Sequence, residues 1–250
     1  SLKEMLVREP LAMKAAFGEN PKMVYGAGGK KPSTRMATAA VLREAFYEAR
    51  EYMEKRALKD ADKRPAFSLK NEALAKVLRR ELPLKMHAHR ADDILTAIRL
   101  AKEFGLRASV EHCTEGYLIA DELREAGVGV ILGPLLCDRS KPELKNLTMK
   151  APAILHRAGV KFALMTDHGV IPEQYLPVEA GLCVREGLPE MEALRAITIN
   201  AAAVIGLAGR LGSLAPGKDA DVALFDGHPL EARTHASVVI VNGEIVYERT

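Results

Sequence analysis

The sequence predicts an α/β protein built on a parallel sheet, with a small β appendage at its end. Three observations carry that expectation. From residue 84 onward, short apolar runs closed by polar or Gly-Pro punctuation alternate with segments whose apolar residues recur at helical spacing. Runs as uniformly apolar as VKFALM imply strands covered on both faces, as parallel strands joined by crossover helices are. The last 40 residues or so then switch to alternating apolar positions, the period of a half-exposed strand.

The elements follow in order. LAMKAAF (11–17) reads as a first strand, and a Gly- and Pro-rich loop (18–33) separates it from a long helical stretch running from Thr34 to about Lys59. The charge-dense stretch from Ala57 to Asn71 reads as a solvated loop. LKMH (84–87) reads as a strand, followed by DDILTAIRLAKEFG (92–105), where Ile94, Ile98 and Ala101 share one face and Gly105 stands at a helix C-cap position. Asp92 or Asp93 is the expected N-cap of that helix. RASVEH (107–112) is the next strand, then helical YLIADELREAG (117–127), strand GVILGP (129–134), helical APAILHRAG (151–159), strand VKFALMTD (160–167) and helical PEMEALRAITINAAAVIG (189–206). That gives four βα units in a row and five strands at most. In the tail, Asn242-Gly243 between two alternating runs is a hairpin signal. Periodicity leaves a doubly wound sheet and an α/β barrel equally open.

Composition narrows the function classes. A chain of 250 residues, 48% hydrophobic and 28% charged, holds one large domain or a domain plus an appendage. Its 36 basic and 33 acidic residues are spread along the chain, so no stripe or tail invites nucleic acid or anionic lipid. Trp is absent and aromatics are 5%, which argues against base-stacking platforms. No apolar run is long enough to span a bilayer, and SLKEMLVREP lacks a signal-peptide core, so a cytoplasmic protein is expected. Three widely spaced cysteines (Cys113, Cys137, Cys183) make no disulfide framework and suit a reducing compartment.

Three expected strands end in a metal-ligand residue: His87 after LKM, His112 after RASVE, and Asp167 after VKFALMT. In parallel α/β folds the C-terminal strand ends form the face where sites are built, because the loops there converge. Neutral imidazoles and a carboxylate suit Zn²⁺ or a similar divalent ion. The bland reading of each is a hydrogen-bonded loop histidine or a helix-capping aspartate. His89 shares a face with His87 if the strand continues, but HRADD reads as a chain already turning. Arg90 and Glu115 are plausible pocket residues, while His156, His168, His228 and His235 read as structural or exposed. GAGG (26–29) lacks a phosphate-loop pattern and reads as a turn, and no cysteine stands beside a candidate base.

MHAHRADDI, VEHCTEG, MTDH, TINAAAVIGLAGRLGSLAPGKDADVALFD and VIVNGEIVYE together resemble the amidohydrolase superfamily, in its imidazolonepropionase-like and prolidase-like branch. The resemblance runs over nearly the whole chain, and GSLAPGKDADVALFD is its most specific stretch. It implies a metal-dependent hydrolase (β/α)8 TIM-like barrel, of which about strands 4 to 8 are present (1–207), with C-terminal strands of a small composite β-sandwich (208–250). The same resemblance puts His87 at the end of the fifth strand, His112 at the sixth and Asp167 at the eighth, as ligands of one or two divalent metals, Zn being the expected one. Asp167 would also serve as general base and then acid in cleaving the C–N bond of a small amide, cyclic or dipeptide. Some members carry a carboxylated lysine at the end of the fourth strand, near where MKAAFGENP puts Lys14; an exposed or salt-bridged lysine is the alternative.

One departure stands out. Family members begin the barrel with an HxH pair on the first strand, and the HxH of this chain, His87 to His89, falls at the fifth. The chain is therefore expected to match the C-terminal part of a member, its barrel completed by a homo-oligomeric partner or by an N-terminal portion. Unpaired strand edges would favour such association. The competing class is an inactive assembly module. A phosphate-binding barrel lyase or isomerase would need a Gly-rich loop that the sequence lacks.

Overall fold

The computed structural model describes residues 6–249. Contacts divide the chain into two units, Ser1–Val110 and Glu111–Thr250.

In the first unit, β1 (Met13–Ala16) and β2 (Leu84–Ala88) pair in parallel, with Met13 opposite Leu84 and Ala16 opposite His87. Between them lie α1 (Glu19–Gly26), α2 (Arg35–Arg56) and α3 (Leu69–Leu78). Thr34 caps α2 by accepting the Ala37 N–H at 3.0 Å, where the sequence predicts the helix to start. The apolar faces of α2 and α4 (Ala91–Phe104) meet at Phe46 and Phe104, whose rings lie 5.2 Å apart. Ile94, Ile98 and Ala101 are buried together on α4, and Gly105 ends it in the left-handed conformation at φ 65°. A side chain with a Cβ would be strained there. The expected aspartate cap is not the one used: Arg90 is the N-cap, and Asp92 and Asp93 fall in the first turn. The helix begins at Ala91, before the expected caps, and the carboxylates complement the helix dipole from inside its first turn. The stretch between α2 and α3 is exposed and holds a short 3₁₀ turn at Ala61–Lys63.

The boundary between the units falls within β3 (Ala108–His112). β4 (Gly129–Leu132) and β5 (Ala163–Leu164) pair in parallel in the second unit. The expected strand 160–167 is reduced to those two residues, because the chain turns immediately after Thr166. Around these strands lie α5 (Ala120–Ala126), α6 (Ala151–Arg157), α7 (Leu176–Arg185), α8 (Glu190–Ala196) and α9 (Ile199–Val204). The predicted single helix over 189–206 is two, broken at Thr198, whose backbone (φ −128°, ψ −98°) leaves the helical region. The tail forms a separate antiparallel sheet, β6 (Val222–Phe225), β7 (Ala236–Val241) and β8 (Glu244–Glu248). Its hairpin turns at Asn242 (φ 51°) and Gly243 (φ 83°), the two positive-φ residues that an Asn-Gly turn supplies.

Candidate functional site

His87 is the fourth residue of β2 and is buried at 6% exposure. Leu84, Met86 and Ala88 are sealed in the core, and Phe17 N donates to His87 O at 2.8 Å, so the strand end is fixed from the β1 side. His89 follows immediately, also buried, with its ring edge-on to that of His87 at 4.7 Å. The chain is turning here, yet the second imidazole stays inside. Sequence reasoning weighed His89 as a turn residue, and the signal that marks it is the one-residue spacing.

Asn20 Nδ2 donates to His87 Nε2 at 3.2 Å, which makes Nε2 the unprotonated nitrogen of a neutral ring. A clamp positions that amide. Arg35, at the start of α2, donates to Asp93 at 2.9 Å and to Glu19 at 3.1 Å, tying α1 to the first turn of α4. Burial pushes the Asp93 carboxyl up, partly opposed by the Arg35 guanidinium bonded to it. Lys14 lies exposed in the middle of β1, in register with Lys85.

In the second unit, His112 is buried at the end of β3. Its Nδ1 lies 2.8 Å from the carbonyl of Gly133, the residue after β4. A carbonyl can only accept, so Nδ1 carries a proton, the arrangement found behind histidines that ligate metals through Nε2. The His112 backbone sits at φ 69° and Cys113 at φ 48°, both in the left-handed region. Such conformations cost about 1–3 kcal/mol each and persist where surrounding structure enforces them. Here the enforcing feature is a turn in which Gly116 N donates to Cys113 O; a Cβ on Gly116 would lie 2.4 Å from Cys113 Sγ. Burial pushes the Cys113 thiol up to about 12, so it plays no part as a nucleophile.

Asp167 lies beyond β5 on an exposed turn, with its carbonyl accepting from Val170 N and its backbone at φ 49°. His112, the last residue of β3, and Asp167, beyond β5, thus both hold positive φ. His168 accepts from Glu173 N, while His156, His228 and His235 lie beside acidic side chains, so these four have ordinary structural roles.

One residue of this unit had no place in the sequence reading. Glu179 on α7 is fully buried, and its Oε2 accepts from the N–H groups of Leu135 (3.1 Å) and Leu136 (3.4 Å). Burial, partly opposed by those two bonds, pushes its carboxyl up to about 7. The available signal was a lone acid inside LPVEAGLCV, an otherwise apolar helical stretch. Leu135 also walls a cavity of about 350 Å³, shared with Cys137, Arg139 and Met149.

Parallel strands carrying buried histidines at their C-terminal ends define a class, the α/β proteins that build their sites at that face. Comparison with known proteins makes the class specific. The amidohydrolase family profile matches residues 2–246, and the chain belongs to the amidohydrolase family, whose fold is a (β/α)8 barrel. An amidohydrolase crystal structure from Thermotoga maritima superposes with a TM-score of 0.95 at 45% identity, covering 100% of this chain and 66% of that one. Amidohydrolase tasK of Hapsidospora irregularis is 26% identical over 94% of this chain and 26% of its own length. The imidazolonepropionase of Maricaulis maris is 37% identical over 58% of this chain and 36% of its own. The chain thus spans about a quarter to a third of these two curated relatives, and just under two thirds of the Thermotoga chain.

Proposed function

We propose that this chain carries the metal-binding strand ends of a hydrolase that cleaves C–N bonds of small amides, and that His87, His112 and Asp167 serve a divalent ion there. The observation that carries the reading is the state of the imidazoles. His87, His89 and His112 are all buried, and the Nδ1 of His112 donates to the Gly133 carbonyl, the backing bond found behind histidines that ligate Zn²⁺. His89, buried with its ring edge-on to His87 at 4.7 Å, joins the proposed donor set. Neutral nitrogen donors fit a borderline ion such as Zn²⁺ better than a hard one such as Ca²⁺.

A bound ion of this kind polarises an amide carbonyl and lowers the pKa of water towards about 7. The chain's own residues do the rest. The histidines, being buried, hold their rings in fixed directions and keep bulk water away. Asp167, on an exposed turn open to substrate, accepts the proton of the attacking water and returns it to the leaving nitrogen. Cyclic amides such as those of imidazolonepropionases are the substrates to try first, followed by dipeptides, given the relatives' identities. A cytoplasmic setting agrees with three free cysteines and with the lack, among the described residues, of a helix long and apolar enough to cross a membrane.

The test is metal analysis of the purified chain followed by a hydrolysis panel. Stoichiometric Zn²⁺, lost in His112→Ala, and hydrolysis abolished in Asp167→Asn support the reading. Full activity in Asp167→Asn would sink the assigned base, and a chain that binds no metal would leave the assembly-module class in its place.

A further inference from the structure

Glu179 lies outside the residues that the mechanism uses, yet it is built into the support of one of them. The chain of contacts is short. His112 Nδ1 donates to Gly133 O; Pro134 follows; the next two N–H groups, of Leu135 and Leu136, both donate to Glu179 Oε2. The other oxygen, Oε1, is buried without a hydrogen-bond partner, so the carboxylate spends its accepting capacity on this one loop. Gly133 itself is pinned from the far side. Its φ is 130°, and a Cβ there would lie 1.9 Å from Met165 O and 3.2 Å from Glu179 Oε1. The segment that presents a carbonyl to His112 is thus held between β5 and a buried acid on α7.

Burying a carboxylate with one oxygen unsatisfied is costly, and two backbone bonds to the other oxygen only partly offset it. Apolar residues would fill the space at lower cost if packing were the sole requirement. What an apolar side chain cannot do is fix two successive N–H groups, and with them the direction of the carbonyl two residues earlier.

We propose that Glu179 is a positioning residue for His112: by anchoring the N–H groups of Leu135 and Leu136 it aims the Gly133 carbonyl at Nδ1 and so keeps Nε2 as the metal-binding nitrogen. The role rests on the metal-site reading for its purpose but not for its geometry. It concerns a hydrogen bond that exists in the metal-free chain.

Two conservative variants of the full chain separate geometry from charge. Glu179→Gln keeps an acceptor oxygen at the same reach without the charge. Glu179→Asp keeps the charge but retracts the oxygen by one methylene, about 1.5 Å. Cys183→Ala, one turn further along α7 and equally buried, serves as the control for loosened packing. Two readouts are taken: the tautomer of His112 by ¹⁵N-histidine NMR on metal-free protein, and Zn²⁺ affinity by competition with a chromophoric chelator. The expected result is that Gln retains the Nδ1–H tautomer and binds Zn²⁺ within about threefold of the parent chain, while Asp mixes the tautomers and loses about 10- to 100-fold in affinity. An Asp variant that keeps both, or a Cys183→Ala control that loses both to the same degree, overturns the proposal, as does a folded Gln variant that loses the tautomer. If the parent chain binds no Zn²⁺, the metal reading fails by itself, and the tautomer readout still decides the role of Glu179.

Discussion

Glu179 and Gly133 show how much at this site depends on single atoms. A carboxyl raised from 4.5 to about 7 means that the folded chain holds its proton more tightly than the unfolded chain does. Stability therefore falls as pH rises through the window from about 4.5 to 7, with an order-of-magnitude loss of about 3 kcal/mol across it. Glu179→Gln removes that slope. In urea titrations at pH 5 and pH 7.5, the midpoint of the parent chain should drop relative to the Gln variant, and parallel shifts in the two proteins would show that Glu179 is not the titrating group. Gly133→Ala has no space to enter, against Met165 O, and no comfortable backbone region at φ 130°. It should cost about 3 kcal/mol and lower the urea midpoint at every pH.

At the scale of elements, the most informative helix is α2, because its N-terminus is the hub that seats Asn20 against His87. Thr34 supplies its cap, and Arg35 bonds both Glu19 and Asp93. Thr34→Ala should cost about 1 kcal/mol in urea unfolding, while Thr34→Ser, which keeps the accepting oxygen, should be nearly neutral. This cap was legible in the sequence, as were Gly105 at the end of α4 and the Asn242-Gly243 hairpin, since each depends on local backbone chemistry. The shortness of β5 and the break at Thr198 were not. An apolar run looks the same whether two or eight of its residues are paired, and only the path of the neighbouring strand decides which.

At the scale of the whole molecule, the proposed ion binding would be linked to folding, because the unfolded chain does not hold its imidazoles buried and oriented. Free Zn²⁺ at 100 times its dissociation constant should stabilise the chain by about 2.7 kcal/mol, raising the thermal midpoint, and a chelator should reverse the shift. An unchanged midpoint under saturating Zn²⁺ would argue against a site that belongs to the folded state. The sequence by itself determined the alternation of strands and helices from residue 84 to 159, the separate β tail, and two histidines at strand ends with an aspartate beyond a third, because apolar periodicity and turn residues act over a few positions at a time; α1, read as a loop, and α3 and α7 escaped it. Only the tertiary structure decided that His89 stays buried beside His87, that His112 Nδ1 donates to Gly133 O, and that a glutamate 67 residues after His112 accepts from the loop that follows Gly133. Those outcomes depend on which backbone carbonyl or amide lies within 3 Å or so of a side chain, and hydrogen bonds between segments far apart in the chain leave no period in the sequence.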